Sequence, residues 1–148
     1  MRIGFLTNVL VDNGMKNLTE IAAWGVENQF QDLEVGPTVE LNEQEVASIR
    51  EQGKIDLSAL IYCRNFLADN EEMANMHKEN IIKRIEMAGK YQIPKVICST
   101  GVSSKAFDGI YYDPMKSIEQ SVEFLKVITE YAEKNNVTLC VENCPLMG

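Results

Sequence analysis

Residues 135–145 read NNVTLCVENCP, an asparagine turn followed by a short run in which Val137, Leu139 and Val141 alternate with Thr138, Cys140 and Glu142. A period of two is the mark of a strand, so the Glu142 carboxylate shares a face with Cys140 and falls at the strand's end. Buried alone, such a carboxylate would take up a proton; a divalent cation would keep it ionised and give its burial a purpose. The competing reading is a rim carboxylate paired to a nearby base or left in water. Upstream, Asp113-Pro114 has the form of a helix start, with a capping side chain and a proline at the first position. Ile118, Val122, Leu125, Thr129 and Ala132 then repeat at intervals of three and four, which predicts a helix with those residues inward.

The same alternation extends back to the start of the chain. Residues 2–7 read as a first strand, followed by a polar turn holding Asp12, Asn13 and Gly14. A helix spans about 18–28, where Gly25 lets it approach a sheet closely. Residues 32–36, DLEVG, form a second strand, with Glu34 pointing opposite to Leu33 and Val35. Asn42 caps the next helix and Glu45 completes a capping box; the helix ends near Gly53. A strand over 55–62 leads to a long helix over 70–90 whose inner stripe is Met73, His77, Ile81, Ile85 and Ala88. Residues 95–100 are a fourth strand and 101–112 a loop. Five apolar strands alternating with four one-sided helices demand a parallel sheet covered by helices. Periodicity leaves two architectures open, a doubly wound sheet complete in this length and a TIM barrel, which takes roughly 250 residues.

A chain of 148 residues is one domain. Its formal charge of −8 argues against a general nucleic-acid binder, which needs clustered Lys and Arg, although an acidic mean leaves room for a small basic pocket. Cys63, Cys98, Cys140 and Cys144 form no Cys-x-x-Cys pair and read as free thiols of a reducing compartment. The first residues, MRIGFLTN, read as a strand and not a leader, and no apolar run reaches the roughly 18–20 residues that cross a bilayer. The expected location is the cytoplasm. Gly-x-Gly-x-x-Gly, a phosphate-binding loop and His-x-x-x-His are all missing.

In either parallel architecture the binding groups gather at the carboxyl ends of strands. That nominates Thr7 and Asn8, Glu34, Tyr62 with Cys63 and Arg64, Cys98 with Thr100, and Glu142 with Asn143. Asn143 could hydrogen-bond a substrate hydroxyl or simply turn the chain before Pro145; Arg64 could meet an anionic group or be solvated. His77, the only histidine, reads as a packing residue. The cysteines near strand tops could meet a soft metal, but cysteine is also a common small core residue.

The order of MRIGFLTNVL, IAAWGVENQFQDLEVGP, HKENIIKRIEMAGKYQIPKVICSTG and SVEFLKVITEYAEKNNVTLCVENCP resembles the N-terminal half of the xylose isomerase-like TIM barrels, the sugar phosphate isomerase/epimerase superfamily. The last segment, with its Glu-Asn-x-Pro, is the most specific. The resemblance covers essentially the whole chain and implies an α/β fold, about five strands and four helices of a (β/α)8 barrel, with residues 1–148 as a single partial domain. It implies metal-assisted proton transfer alpha to a carbonyl of a sugar or sugar phosphate. Glu142 would be both catalytic residue and ligand of a divalent metal, Mn²⁺ or Mg²⁺ with Zn²⁺ as an option, bound weakly or not at all by this chain alone. Glu34, Asn143, Tyr62, Arg64 and Thr100 would meet the substrate. The family's remaining ligands lie on later strands, so the chain alone is expected to have little or no isomerase activity. An alternative is a non-catalytic half-barrel that completes its fold with a partner or a copy of itself, through the exposed edges of strands one and five; a homodimer is the expected form. A weaker one is a metal-dependent nuclease like endonuclease IV. Tyr62, Cys63 and Arg64, and Ser99 to Gly101, stand where that enzyme type carries histidines.

Overall fold

A computed structural model describes residues 1–142 of the chain. Five parallel strands, β1 (Gly4–Leu6), β2 (Asp32–Val35), β3 (Asp56–Tyr62), β4 (Lys95–Cys98) and, last among the described residues, β7 (Thr138–Val141), pair in the order β1-β2-β3-β4-β7. No strand is placed out of turn. A doubly wound sheet has to reverse direction at a switch point, whereas a barrel adds each strand beside the one before it. The topology therefore selects the barrel arrangement: the sheet is the first five-strand arc of a (β/α)8 fold.

The helices α2 (Leu18–Glu27), α3 (Glu43–Gln52), α4 (Glu71–Lys90) and α5 (Pro114–Lys134) cover one side of the sheet. Their starts are capped by Asn17, Asn42, Asn70 and Asp113, each side chain accepting a hydrogen bond from a backbone N–H of the first turn. The main core lies between helices and sheet, where Leu18, Ile21, Leu33, Leu57, Leu60, Ile81, Ile85 and Val96 lose contact with water altogether or nearly so. Gly25 permits a close approach of α2 to the sheet. A Cβ there would stand 2.7 Å from the Phe5 ring and 2.8 Å from Ile55.

Several sequence expectations are corrected. The expected turn forms at Asn13 and Gly14, but a short helix not foreseen, α1 (Asn8–Asp12), precedes it and takes in Asp12, begun when the Thr7 carbonyl accepts from the N–H groups of Leu10 and Val11. The loop over 101–112 contains a 3₁₀ turn and a small antiparallel ribbon, β5 (Phe107–Asp108) with β6 (Tyr111–Tyr112). Glu45 does not close a capping box; its Oε1 accepts from Thr19 Oγ1 at 3.2 Å and so ties α3 to α2. In α4 the inward residue of the first turns is Ala74, while Met73 is exposed.

The largest correction is to α5, whose buried residues are Ser117, Ser121, Phe124, Ile128 and Ala132. The expected stripe sits one position over, leaving Ile118 52% and Val122 41% exposed. Serine could take the inner face because its hydroxyl is satisfied locally: Ser121 Oγ donates to the Ser117 carbonyl at 2.7 Å. Phe124 then stacks on Phe66 with ring centroids 4.4 Å apart, which fixes the rotation of the helix.

Candidate functional site

The sheet's second face is concave and carries the candidate site. Strand alternation puts Leu6, Glu34, Ile61, Ile97 and Cys140 on that face, and the residues past the strand ends add Asn8, Pro37, Cys63 and Glu142. Together they line a cleft of about 480 Å³ at the carboxyl ends of the strands, where parallel α/β folds bind their ligands. Glu142 continues the ladder of β7, its N–H donating to the Cys98 carbonyl at 2.7 Å. Its exposed carboxylate accepts from Cys63 Sγ at 3.5 Å across the cleft. Glu34 is half-buried on the same wall. At the opposite, amino end, Arg2 bridges Asp32 at 2.9 Å and also Asp56, and both carboxylates hold its guanidinium above its ordinary pKa. That network binds the strand starts together and lies away from the cleft's mouth.

Not every expected residue joins this cleft. Tyr62 is buried on the helix side, its hydroxyl hydrogen-bonded to His77 Nδ1 at 2.9 Å. The reason is a bulge in β3. Leu33 pairs with Leu57 and Glu34 with Ala59, so one extra residue enters β3 at Ser58. Ser58 faces the concave side near the strand starts, and after the bulge Ile61 and Cys63 do so in its place. An uninterrupted period of two would have turned Tyr62 inward. Arg64 also lies on the helix side, its guanidinium 5.6 Å from the Tyr62 ring and donating to the Cys63 carbonyl at 2.8 Å. Thr100 is half-buried beyond β4 and does not line the cleft. Asn143 and Cys144 lie outside the described residues.

His77 is a packing residue, edge-on to Tyr62 and Phe66. Burial, with help from the nearby Arg64 charge, pushes its pKa below the usual histidine value. Cys98 faces the helix layer with no exposed surface, and burial pushes its thiol up to about 12, with smaller contributions from Cys63 and Cys140. It is an inert core thiol and not a ligand. Reading the sequence missed Arg84, buried in α4 beside Tyr62. The available signal was its place between Ile81, Ile85 and Ala88, on the inward stripe of the helix.

The fold that this topology and cleft define is the N-terminal half of a TIM barrel, an arrangement shared with solved xylose isomerase-like proteins. Solved structures superpose accordingly. A D-tagatose 3-epimerase-like protein matches with a TM-score of 0.75 at 19% identity, over 99% of this chain and 54% of that one. D-psicose 3-epimerase in the presence of D-fructose matches at 0.69 and 17% identity, over 99% and 54%. The IolI protein with a zinc atom matches at 0.73 and 15%, over 95% and 51%. The chain thus spans about half the length of these structures, and at such identities the likeness is one of fold. No family model and no curated protein matches the sequence. No helix among the described residues is long and apolar enough to cross a membrane.

Proposed function

We propose that residues 1–148 form one partial barrel domain of a sugar isomerase or epimerase, acting on a sugar or sugar phosphate by moving a proton alpha to a carbonyl. The observation that carries this is the convergence of two carboxylates, Glu34 and Glu142, with Asn8 in a single cleft at the strand ends. Glu142 is proposed as the proton-transferring carboxylate, since a general base has to reach the carbon acid within a hydrogen-bond length. Glu34 and Asn8 would meet hydroxyls. Thr100, outside the cleft lining, and Asn143 are proposed substrate contacts, while Tyr62 and Arg64 could enter only indirectly through the helix-side layer. The buried thiol Cys98 and the half-buried Cys140 favour a cytoplasmic setting, and the acidic charge disfavours a nucleic-acid partner.

The resemblance brings a divalent metal with it, and the described residues do not fit one. Among them no three His, Cys, Asp or Glu side chains could hold an ion together, and the groups beside Glu142 include thiols, soft donors ill-suited to Mg²⁺ or Mn²⁺. A metal role for Glu142 would need ligands from further chain. Proton removal alpha to a carbonyl also needs strong stabilisation of the oxygen charge that develops, which this cleft does not supply. We therefore propose little or no isomerase activity for the 148-residue chain alone.

Two measurements test these statements. Incubating the purified chain with D-fructose or D-tagatose and Mn²⁺ should give no epimer; turnover that is lost in Glu142→Gln would overturn the proposed inactivity. Coding DNA beyond codon 148 should continue in frame into further strands with carboxylate and histidine ligands, and any other continuation would remove the isomerase reading. A second reading has its own observation: Ile118, Val122 and Val141, on the α5 and β7 side, are 52%, 41% and 49% exposed. Such a surface favours self-association of a non-catalytic half-barrel. Light scattering should then find a dimer at micromolar concentration, and a monomer would rule that reading out.

A further inference from the structure

Arg84 is the most deeply buried cationic side chain among the described residues, 9% exposed on the inner face of α4. A guanidinium carries five N–H donors, and buried arginines are ordinarily paired with a carboxylate or a phosphate. This one has no carboxylate within 4.0 Å among the described residues, and its one protein acceptor is the Val39 carbonyl at a long 3.5 Å. Its Nε–H is buried with no partner at all. The Tyr62 ring face, 4.8 Å from the guanidinium carbon, compensates part of the charge but accepts none of those N–H groups in a proper hydrogen bond. Burial lowers the Arg84 pKa to about 10, which leaves it charged at neutral pH. An uncompensated buried cation of this kind calls for an unseen partner.

The surroundings indicate what that partner is. Arg84 lines an open cleft of about 440 Å³ between the segment after β2 and the flank of α4 that carries Asn80, Lys83 and Met87. Lys83 adds a second cation, Thr38 a hydroxyl and Asn80 an amide to the same walls, and Glu40 is their single carboxylate. In a chain of net charge −8 this is a local excess of positive charge, with a guanidinium whose fork matches an oxyanion's two oxygens. The cleft is separate from the concave one, although Pro37 lines both.

We infer that the cleft between residues 37–41 and α4 is an oxyanion site, with Arg84 as its buried anchor, for a phosphate group, free or carried on a small metabolite. Arg84 and Lys83 hold the charge, and Thr38 and Asn80 donate to the remaining oxygens. This inference does not depend on the proposed isomerase function, since its polar groups, Arg84, Lys83, Thr38 and Asn80, do not line the concave cleft.

Calorimetric titration of the purified chain with inorganic phosphate, and separately with D-fructose 6-phosphate, at constant ionic strength set by chloride, tests it. Saturable binding of either is expected, with a thermal midpoint that rises with phosphate concentration and not with chloride. Binding of the sugar phosphate well above inorganic phosphate would identify a carried group, and equal binding a free one. Arg84→Lys keeps the charge but loses the fork, so affinity should fall about tenfold or more, and Lys83→Met should weaken it by less. Glu40→Gln should strengthen it. If Glu40 were instead the internal partner of Arg84, Glu40→Gln would lower stability in chloride and leave phosphate without effect. That result overturns the site, as does undiminished phosphate binding by Arg84→Lys or a failure of the parent chain to bind either probe.

Discussion

Tyr62 and Cys63 are joined by one peptide bond and inhabit opposite sides of the sheet. The helix side, where Tyr62 lies, is filled: Phe66, Phe124, Ile81, Ile85 and Leu60 close on one another with almost no exposed surface. The concave side, where Cys63 lies, is an open cleft whose polar groups, Glu34, Asn8 and Glu142, are half-buried or exposed. The buried apolar contacts lie in the first region, and the proposed chemistry in the second. Such a division follows from topology: an arc of parallel strands has helices to cover its outer face, and only its own curvature to shelter the inner one.

Substitutions on the helix side should break this contrast most visibly. Phe66→Ala removes a ring with no exposed surface from its stack on Phe124, and should cost about 3–5 kcal/mol in urea unfolding. Gly25→Ala comes next. The added methyl would meet Phe5 and Ile55 at under 3 Å, so overpacking of about 1–3 kcal/mol should outweigh the roughly 1 kcal/mol gained in helix propensity. A neutral or stabilised Gly25→Ala would mean that α2 can move off the sheet at no cost.

The helix side also contributes a pH dependence. His77 has a folded pKa below its unfolded one, because burial and Arg64 disfavour its charged form. Its contribution is therefore present above the unfolded value of about 6.5 and is lost as pH falls through that value toward the folded one. Urea midpoints should decline between pH 7.5 and 5.5, and the decline should be shallower in His77→Gln, whose side chain does not titrate. An unchanged slope in the variant would assign the acid sensitivity to other groups.

Much of this was legible in the sequence, and the failures have physical causes. All five strands and four long helices were visible in their apolar periodicity, with capping residues marking two of the helix starts, Asn42 and Asp113. Strand order was not, since periodicity records which side of a strand is buried and says nothing of its neighbours. The inward face of α5 was misjudged because Ser117 and Ser121 are buried with their hydroxyls donating to the Gly101 and Ser117 carbonyls, and a hydrophobic pattern scores serine as exposed. Tyr62 was assigned to the site because the bulge in β3 is written in pairing and not in composition. Glu34 and Glu142 lie in the cleft as expected because the alternation of β2 and β7 runs unbroken to them.

The smallest stability effect should come from the residue on which the proposed chemistry depends most. Glu142 is exposed, and its one hydrogen bond from a protein side chain among the described residues is the long contact from Cys63 Sγ at 3.5 Å. Glutamine keeps the shape and an acceptor oxygen for that thiol, so Glu142→Gln should shift unfolding by no more than about 0.5 kcal/mol. The same change removes the charge that a general base requires. If the concave face serves function and the helix face serves folding, Glu142→Gln and Phe66→Ala should be opposites, the first sparing stability and the second abolishing much of it. A Glu142→Gln chain destabilised as severely as Phe66→Ala would show that the cleft carboxylate belongs to the fold's own support, and the separation of the two faces would fail.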